Sequence, residues 1–269
     1  FYASVECCKR PELMDMPVIV CGNPSLRHGV VIAKNQKAKI CGIHTGDNVG
    51  DCKNKSKSLV TVHTDYEDYI NYSKKIYGIY RSYSDYIENF GIDECWLDIT
   101  NIKGKDNGVS VAKEIMNTIK KETGLTVSVG VSFNKSFAKL GSHLAGNDEL
   151  IAITEENFKK LIWNVPVDNL MSAGHSTTNK LHKLNIFTIG DLAKADRNII
   201  KKRLGVNGLR LIDKANGIDS APIAHHSHKR IHKSLSTGIT MPVNLTSDSQ
   251  ISHLIFCLTE ELTHRMRRY

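Results

Sequence analysis

Two adjacent carboxylates, Asp93 and Glu94, lie within residues 90–98, FGIDECWLD. The apolar flanks predict a buried strand, where paired like charges are costly unless a cation or strong hydrogen-bond donors compensate them. A turn at 89–91 before the pair and a β-prone run after it predict a hairpin with both acids at its tip. Carboxylates at such a tip are suited to hold a divalent metal over phosphate oxygens. Spacing alone leaves a solvated turn as an equal alternative.

Length and composition bound the class of protein. A chain of 269 residues is long enough for two or more domains, and a net charge of +8 favours a polyanionic partner. No apolar stretch approaches the roughly 20 residues needed to span a bilayer. The seven cysteines have no CxxC spacing and are odd in number, which predicts reduced thiols in a cytoplasmic protein. The start at Phe1 and the end within a helical pattern predict a fragment.

Periodicity predicts an α+β fold for the first part of the chain. Its central layer is expected to be an antiparallel sheet with two helices on one face, completed as a split βαβ sandwich if a strand ending at Phe1 is added. Phe1 to Glu6 is predicted to be that strand end passing into a helix. The predicted strands are 17–21, 30–33, 86–90, 95–99, 125–132 and 150–154, and the helices are 34–40, 65–83, 109–123 and 134–144.

The composition changes near Val165-Pro166. From there to Asn216 we expect short helices punctuated by glycines, and residues 168–219 carry nine Lys/Arg against five Asp. Residues 221–232 are predicted to be a linker, followed by a strand at 233–240 and a helix from Ser247. The histidines of 225–232 resemble a metal-binding tract in composition, but without a matching ligand pair we expect a solvated linker.

Several motifs occur in order along the chain: FYASVE at 1–6, GVV at 29–31, GIHTG at 42–46, GIDECWLD at 91–98, SVGVSFNKSFAK at 128–139 and TIGDLA at 188–193. They resemble motifs of the Y-family (UmuC/DinB-like) translesion DNA polymerases. The likeness runs over essentially the whole chain. Glycine at 91 replaces the family's common serine, a change we expect a turn to tolerate.

The resemblance implies a metal site. Asp93 and Glu94 would be catalytic and would bind two Mg²⁺ ions, with a third carboxylate from the first strand. The family places that aspartate five positions before Tyr2, outside this sequence, so residues 1–269 alone are expected to be inactive. The same absence motivates an alternative, a non-catalytic DNA-binding scaffold or accessory subunit on the same fold. Asp98 is expected to be structural.

The resemblance also implies nucleotide contacts. Lys139 matches a lysine that reaches the incoming triphosphate, and its alternative is a solvated helix face. Tyr2 matches the steric gate that collides with a ribose 2′-hydroxyl, and its alternative is core packing. Phe1 and the backbone of Ala3 would line the same pocket. In the finger helix the family often has tyrosine and arginine, where this chain offers Gln36 and Lys39; a lysine gives a point charge without the bidentate fork of arginine.

The implied domains are a ferredoxin-like palm, small fingers, a thumb and the start of a little finger. The boundaries are 1–10 with 65–165 for the palm, 11–64 for the fingers, 166–224 for the thumb, 225–232 for a linker and 233–269 for a partial little finger. Residues 173–177 resemble the hairpin of a helix-hairpin-helix, which takes up phosphate without reading bases. The DNA-binding residues would be Gly174, His175, Thr177 and Lys180.

The function implied is template-directed, error-prone synthesis from dNTPs on primer–template DNA during damage bypass. A nucleotide cyclase with a similar palm is disfavoured, because it needs no basic helix-hairpin-helix. A monomer is expected, with no membrane partner. A sliding clamp would be bound through C-terminal residues beyond this sequence.

Overall fold

The computed structural model describes residues 1–22, 29–100, 102, 108–228, 231 and 233–268. Contacts divide the chain into two compact units. The first unit holds residues 1–69 and 227–269, and the second holds residues 70–226. The turn predicted between the first two strands lies largely at 23–28, outside the described residues.

The first unit is built on a three-stranded sheet. Its elements are α1 (Tyr2–Lys9), β1 (Val18–Cys21), β2 (Val31–Lys34), α2 (Gln36–Ile40), α3 (Val49–Lys55) and β3 (Val60–His63). The strand order is β2-β1-β3, with β1 antiparallel to β2 and parallel to β3. All four residues of β1 are buried, as expected for a central apolar strand covered on both faces. The predicted strands and the short basic helix are confirmed; helix α1 begins directly at Tyr2, without the expected strand end.

Helix α4 (Tyr66–Arg81) confirms the helix predicted at 65–83. The apolar stripe of this helix stabilises it, because Tyr69, Ile76 and Ile79 are buried. The packing role expected for the tyrosines is therefore confirmed for Tyr69.

The second unit begins with two separate strand pairs. Strands β4 (Ile87–Asn89) and β5 (Cys95–Leu97) form an antiparallel hairpin. After α5 (Gly108–Thr123) come β6 (Val129–Ser132), α6 (Lys135–Leu144) and β7 (Leu150–Ile153), and β6 pairs with β7 in parallel. The fully antiparallel sheet expected from the sequence is therefore wrong for this pair. Because α6 carries the chain back across the sheet, the strand that follows it runs in the same direction as β6.

The rest of the second unit is helical, as predicted from Val165 to Asn216, although its first helix precedes Val165 and was not predicted. It contains α7 (Phe158–Ile162), α8 (His175–His182), α9 (Ile189–Ala193) and α10 (Arg197–Ala215). Thr188 and Asp191 form a capping box at the start of α9. Before α8 the chain makes only a three-residue 3₁₀ helix, Val167–Asn169, and Gly174 has an ordinary φ of −69° as the N-cap of α8.

The last described segment returns to the first unit. The strand predicted at 233–240 is wrong, since those residues form no regular structure. A lone β-prone run is stabilised only by pairing with another strand. Helix α11 (Asp248–Met266) does form, capped by Ser247 and Gln250. No helix among the described residues is long and apolar enough to cross a membrane.

Candidate active site

The β4–β5 hairpin carries Asp93 and Glu94 at its tip. The loop, residues 90–94, is closed by the backbone N–H of Phe90, which donates to the carbonyl oxygen of Glu94 at 2.8 Å. Gly91 has a φ of +91°, a left-handed conformation that favours glycine. The hairpin prediction is confirmed, but both acids are exposed. The expectation that Asp93 and Glu94 are buried, and so need a cation to compensate their charges, is therefore wrong. Because both side chains are exposed, a ligand can reach them from solvent.

Lys139 reaches this acid loop from helix α6. Its Nζ lies 2.5 Å from Glu94 Oε2 and 5.6 Å from the centre of the Phe90 ring. Asn134 starts α6 by accepting a hydrogen bond from the backbone N–H of Phe137 at 2.8 Å, and this fixes the direction of the helix. Two motifs that lie far apart in sequence thus meet at one place. The Lys139 side chain is 26% exposed and is paired with Glu94, and its role in nucleotide binding stays a prediction.

A second ion pair, between Lys135 and Glu88, holds the start of α6 against the hairpin. The two side chains are 12% and 17% exposed and their charged atoms are 2.7 Å apart. Trp96 Nε1 donates to the carbonyl oxygen of Lys135 at 3.0 Å, and the Lys135 ammonium lies 4.8 Å from the Trp96 ring centre. This pair was not predicted from the sequence. The available signal was the spacing of Lys135 and Lys139, which places both on one helix face.

The acid loop fits a divalent cation. Carboxylate oxygens are the ligands that Mg²⁺ prefers. Since Lys139 occupies Glu94 Oε2, a bound ion must displace it or use another carboxylate oxygen of the pair. Among the described residues, no third acidic, cysteine or histidine side chain joins Asp93 and Glu94 in a group of three. Asp98 serves the backbone instead, since its Oδ1 accepts from the Thr100 N–H at 2.9 Å, in keeping with the structural role expected for it.

In the first unit, Tyr2 lies in an aromatic cluster. Its ring stacks on that of Tyr69 with centres 4.5 Å apart and planes at 22°, while Tyr66 meets it edge-on at 6.0 Å. Tyr69 is fully buried and donates to Glu6 Oε1 at 2.8 Å, and Glu6 Oε2 accepts from Arg10 at 2.5 Å. Burial and the Glu6 carboxylate raise the pKa of Tyr69 well above its usual value, so it remains protonated.

The other proposed nucleotide contacts also belong to the first unit. Phe1 is half-buried and is the N-cap of α1, and Ala3 is buried. Gln36 and Lys39 lie exposed on α2, where the sequence predicted a short basic helix. Asn35 accepts from the Ala38 N–H at 2.9 Å and from the Val18 N–H at 3.0 Å, which fixes the start of α2 against β1.

The predicted DNA-binding residues lie on α8 and before it. Gly174, His175 and Lys180 are exposed. Thr177 and Lys180 line a pocket whose charged lining residues are all basic: Lys180, Arg203, Arg210 and Lys214. Burial lowers the pKa of Lys214 while nearby Asp219 opposes that shift. From the sequence, Arg203 and Arg210 contributed only to the excess of positive charge. In the structure they line the same pocket as Lys180.

Comparison with known proteins shows which family the chain resembles. Residues 1–143 match the model of the impB/mucB/samB family. DNA polymerase IV of Acetivibrio thermocellus is 44% identical over 272 residues, covering 100% of this chain and 68% of that protein. DNA polymerase IV 1 of Bacillus subtilis is 32% identical over 270 residues, covering 100% of this chain and 64% of that protein. The chain thus spans about two thirds of the length of these relatives.

Solved structures give the same result. The crystal structure of DinB from Sulfolobus solfataricus matches with a TM-score of 0.75 at 26% identity, over 83% of this chain and 66% of that one. An insertion ternary complex of Dbh DNA polymerase matches with a TM-score of 0.76 at 26% identity, over 83% of this chain and 66% of that one. The chain belongs to the impB/mucB/samB family, the DinB-like Y-family of DNA polymerases.

Proposed function

We propose that this chain carries the active site of a translesion DNA polymerase, with Asp93 and Glu94 as the metal-binding carboxylates. The observation that carries the proposal is the contact between Lys139 and Glu94 at the tip of an exposed acidic hairpin. This contact brings together the carboxylates that would bind a metal ion and the Lys139 ammonium group that would bind phosphate. Nucleotidyl transfer needs both, because the primer 3′-oxygen attacks the α-phosphorus while pyrophosphate leaves with its negative charge.

Asp93 and Glu94 would hold Mg²⁺, with two ions per site, and bound Mg²⁺ would supply Lewis-acid stabilisation of charge on the phosphate oxygens. The carboxylates provide the oxygen ligands, and their exposure leaves them accessible to a nucleotide. Lys135 and Glu88 support this arrangement, because their contact fixes the helix from which Lys139 extends.

Lys139 would bind the triphosphate of the incoming dNTP. Its ammonium group pairs with Glu94, and the side chain as a whole is 26% exposed. A flexible lysine side chain can therefore exchange the carboxylate for a phosphate oxygen without moving α6. Such a contact positions the substrate and neutralises its charge, which supplies most of the catalysis in phosphoryl transfer.

The first unit would supply sugar selection and further phosphate contacts. Tyr2 would be the steric gate, with Phe1 and the Ala3 backbone lining the same pocket. Lys39 would add a point charge toward the triphosphate, and Gln36 a neutral polar contact. The stacked Tyr69 supports the gate assignment, because it holds the Tyr2 ring in one orientation.

The basic α8 region would hold the DNA duplex through its phosphates. Gly174, His175, Thr177 and Lys180 would contact the backbone, in a way that is independent of sequence and weakened by salt. The wholly basic charge of the pocket shared by Lys180, Arg203 and Arg210 supports this. We further propose a cytoplasmic monomer that binds a sliding clamp through residues beyond this sequence.

Primer extension with Mg²⁺ tests the proposal. The protein expressed from its natural reading frame is compared on undamaged and abasic templates with the Asp93→Asn, Glu94→Gln double variant. An exposed acid from the helical region, Asp196→Asn, serves as a control. We expect extension by the parent and the control and none by the double variant. Equal activity in the double variant would overturn the metal-site assignment, and DNA binding without extension by the parent would favour the scaffold.

A further inference from the structure

The linker after the helical region is fixed along the outer edge of β4. Tyr86 and His225 form an isolated antiparallel bridge, and the N–H of His226 donates to the carbonyl oxygen of Asp85 at 2.9 Å. Immediately before His225, the N–H of Ala224 donates to Glu88 Oε2 at 3.1 Å. These contacts give residues 224–226 a defined register, which the sequence did not predict, while His225, Ser227 and His228 are exposed, as expected of a solvated linker.

This register brings three potential metal ligands together. Asp85, His225 and His226 each offer one ligand atom, and these atoms all lie within 4.8 Å of one another. His226 Nε2 is 4.0 Å from Asp85 Oδ1, and the two imidazole centres are 4.3 Å apart. Zinc ligands lie about 2 Å from the ion. Small rotations of the three side chains would bring their ligand atoms to that distance from one ion. The His226 side chain is 28% exposed and that of Asp85 is 66% exposed, so solvent ions can reach both.

The neighbours of the cluster set a limit on its affinity. Arg81 Nη1 lies 2.7 Å from Asp85 Oδ1 and competes with any cation for that oxygen. The Tyr86 ring meets His225 edge-on at 5.5 Å and restricts its rotation. An ion that binds here must displace Arg81 or use the second carboxylate oxygen of Asp85.

We propose that Asp85, His225 and His226 form a binding site for a divalent transition metal, Zn²⁺ being the ion that best suits two imidazoles and one carboxylate. Nitrogen ligands select against Mg²⁺, which prefers oxygen, so the site differs in chemistry from the acid loop. Because two of the ligands are in the linker and the third precedes β4, a bound ion fastens the linker to the edge of β4. The proposal does not depend on polymerase activity.

Zn²⁺ titration of the metal-free full chain, followed by competition with a chromophoric chelator, tests this site. The variants are Asp85→Asn and the double variant His225→Ala, His226→Ala. His228→Ala is the control, since it removes an exposed histidine of the same linker that lies outside the cluster. We expect one zinc equivalent that millimolar Mg²⁺ does not displace, a loss of roughly tenfold or more in affinity for both cluster variants, and no change for the control.

The Arg81→Ala variant gives an independent readout, because it removes the competitor without removing a ligand. Zinc affinity is expected to increase severalfold in Arg81→Ala relative to the wild type. In the Arg81→Ala, Asp85→Asn double variant it should fall to the reduced affinity of Asp85→Asn. Circular dichroism of each variant checks that its fold is retained. Absence of stoichiometric zinc binding by the wild-type chain, or equal affinities for the wild type and the cluster variants, would overturn the proposal.

Discussion

Tyr2 illustrates how neighbouring side chains define a role at the residue scale. Its ring is held flat against Tyr69, which is itself fixed by the Glu6 and Arg10 side chains. A ring with two fixed torsions presents a steric barrier of constant position. If Tyr2 is the steric gate, as we propose, a ring held in this position would exclude one additional hydroxyl group.

Replacing Tyr2 with alanine should weaken sugar discrimination. The ring is the only part of the side chain that can collide with a 2′-hydroxyl, so we expect the ratio of ribonucleotide to deoxyribonucleotide incorporation to increase roughly tenfold or more. Single-nucleotide insertion kinetics measure the ratio, with Tyr2→Phe as the control that retains the ring. An unchanged ratio in Tyr2→Ala would mean that Tyr2 is not the gate.

Cys95 should be an unreactive thiol. Burial, opposed by a hydrogen bond with Tyr80 and assisted by the charge of Glu94, raises the pKa of Cys95 to about 12. The reactive thiolate is therefore scarce at pH 7 to 9, whereas Cys257 is exposed. In peptide mapping after iodoacetamide treatment we expect Cys257 to be modified long before Cys95, whose rate increases as the pH increases. Equal rates at pH 8 would contradict this assignment.

At this scale the sequence predicted the types of residue better than their surroundings. The motifs identified Asp93, Glu94 and Lys139, and the structure brings Glu94 and Lys139 into contact. The expected burial of the two acids was wrong, because Trp96 is buried while Phe90 and both acids are exposed at the loop. The support of Tyr2 by Tyr69 depends on packing between α1 and α4, which no local pattern encodes.

At the scale of elements, Gly130 sets the distance between β6 and α6. A Cβ atom there would lie 1.9 Å from the carbonyl oxygen of Ala138 and 2.5 Å from the N of Ser142. The backbone of the helix therefore contacts the strand directly. Since α6 carries Lys139, this close approach also determines how far Lys139 extends toward the acid loop.

Gly130→Ala should push α6 away from β6. We expect a loss of about 1–3 kcal/mol in the free energy of unfolding, as is usual for overpacking a well-packed interior. Gly78→Ala is the matched control, because nothing lies within 4 Å of its added Cβ on helix α4. Alanine should there stabilise the helix by up to about 1 kcal/mol. Urea denaturation of both variants measures the difference, and equal stabilities would contradict the packing argument.

Local periodicity predicted most elements, including α4, α5 and α6, because each has an apolar stripe that packs on a core. It did not predict the parallel pairing of β6 with β7, since strand direction depends on how a helix crosses between them. It also predicted a strand at 233–240, where β-prone residues find no partner among the described residues. Strand formation depends on pairing partners that a single segment cannot specify.

At the scale of the whole molecule, the second unit joins the predicted palm and thumb through one continuous core. Phe137 and Leu140 of α6 belong to the same cluster as Leu181, Ile189 and the apolar residues of α10. Two polar contacts reinforce the joint. Asp219 Oδ2 accepts from Ser136 Oγ at 2.5 Å, and Asn134 Nδ2 donates to the Gly217 carbonyl oxygen at 3.0 Å.

Removing the Asp219 carboxylate should loosen this joint. Ser136 is fully buried, so Asp219→Ala leaves its hydroxyl without that acceptor, and we expect a loss of about 1–3 kcal/mol in the free energy of unfolding. Asp213→Ala removes a partner of Arg197 in an exposed ion pair and should cost about 0–1 kcal/mol. Urea denaturation compares the two variants. A smaller effect at Asp219 than at Asp213 would contradict the account of the joint.

The change in composition near Val165-Pro166 predicted helices from there to Asn216, and α8, α9 and α10 confirm them. Helix α7 already begins at Phe158, before that change, and was not predicted. The shared core was not predictable, because residues 137 and 211 lie far apart in sequence and only the fold brings their side chains into one cluster. The division into palm, fingers, thumb and little finger at the stated boundaries stays a prediction.

A crystal structure with primer–template DNA, dNTP and Mn²⁺ in place of Mg²⁺ tests the central claim most directly. The protein expressed from its natural reading frame should show anomalous Mn²⁺ density at about 2.2 Å from carboxylate oxygens of Asp93 and Glu94. The Lys139 ammonium should have exchanged Glu94 for a triphosphate oxygen. Manganese bound elsewhere, with both carboxylates turned into bulk solvent, would contradict the claim.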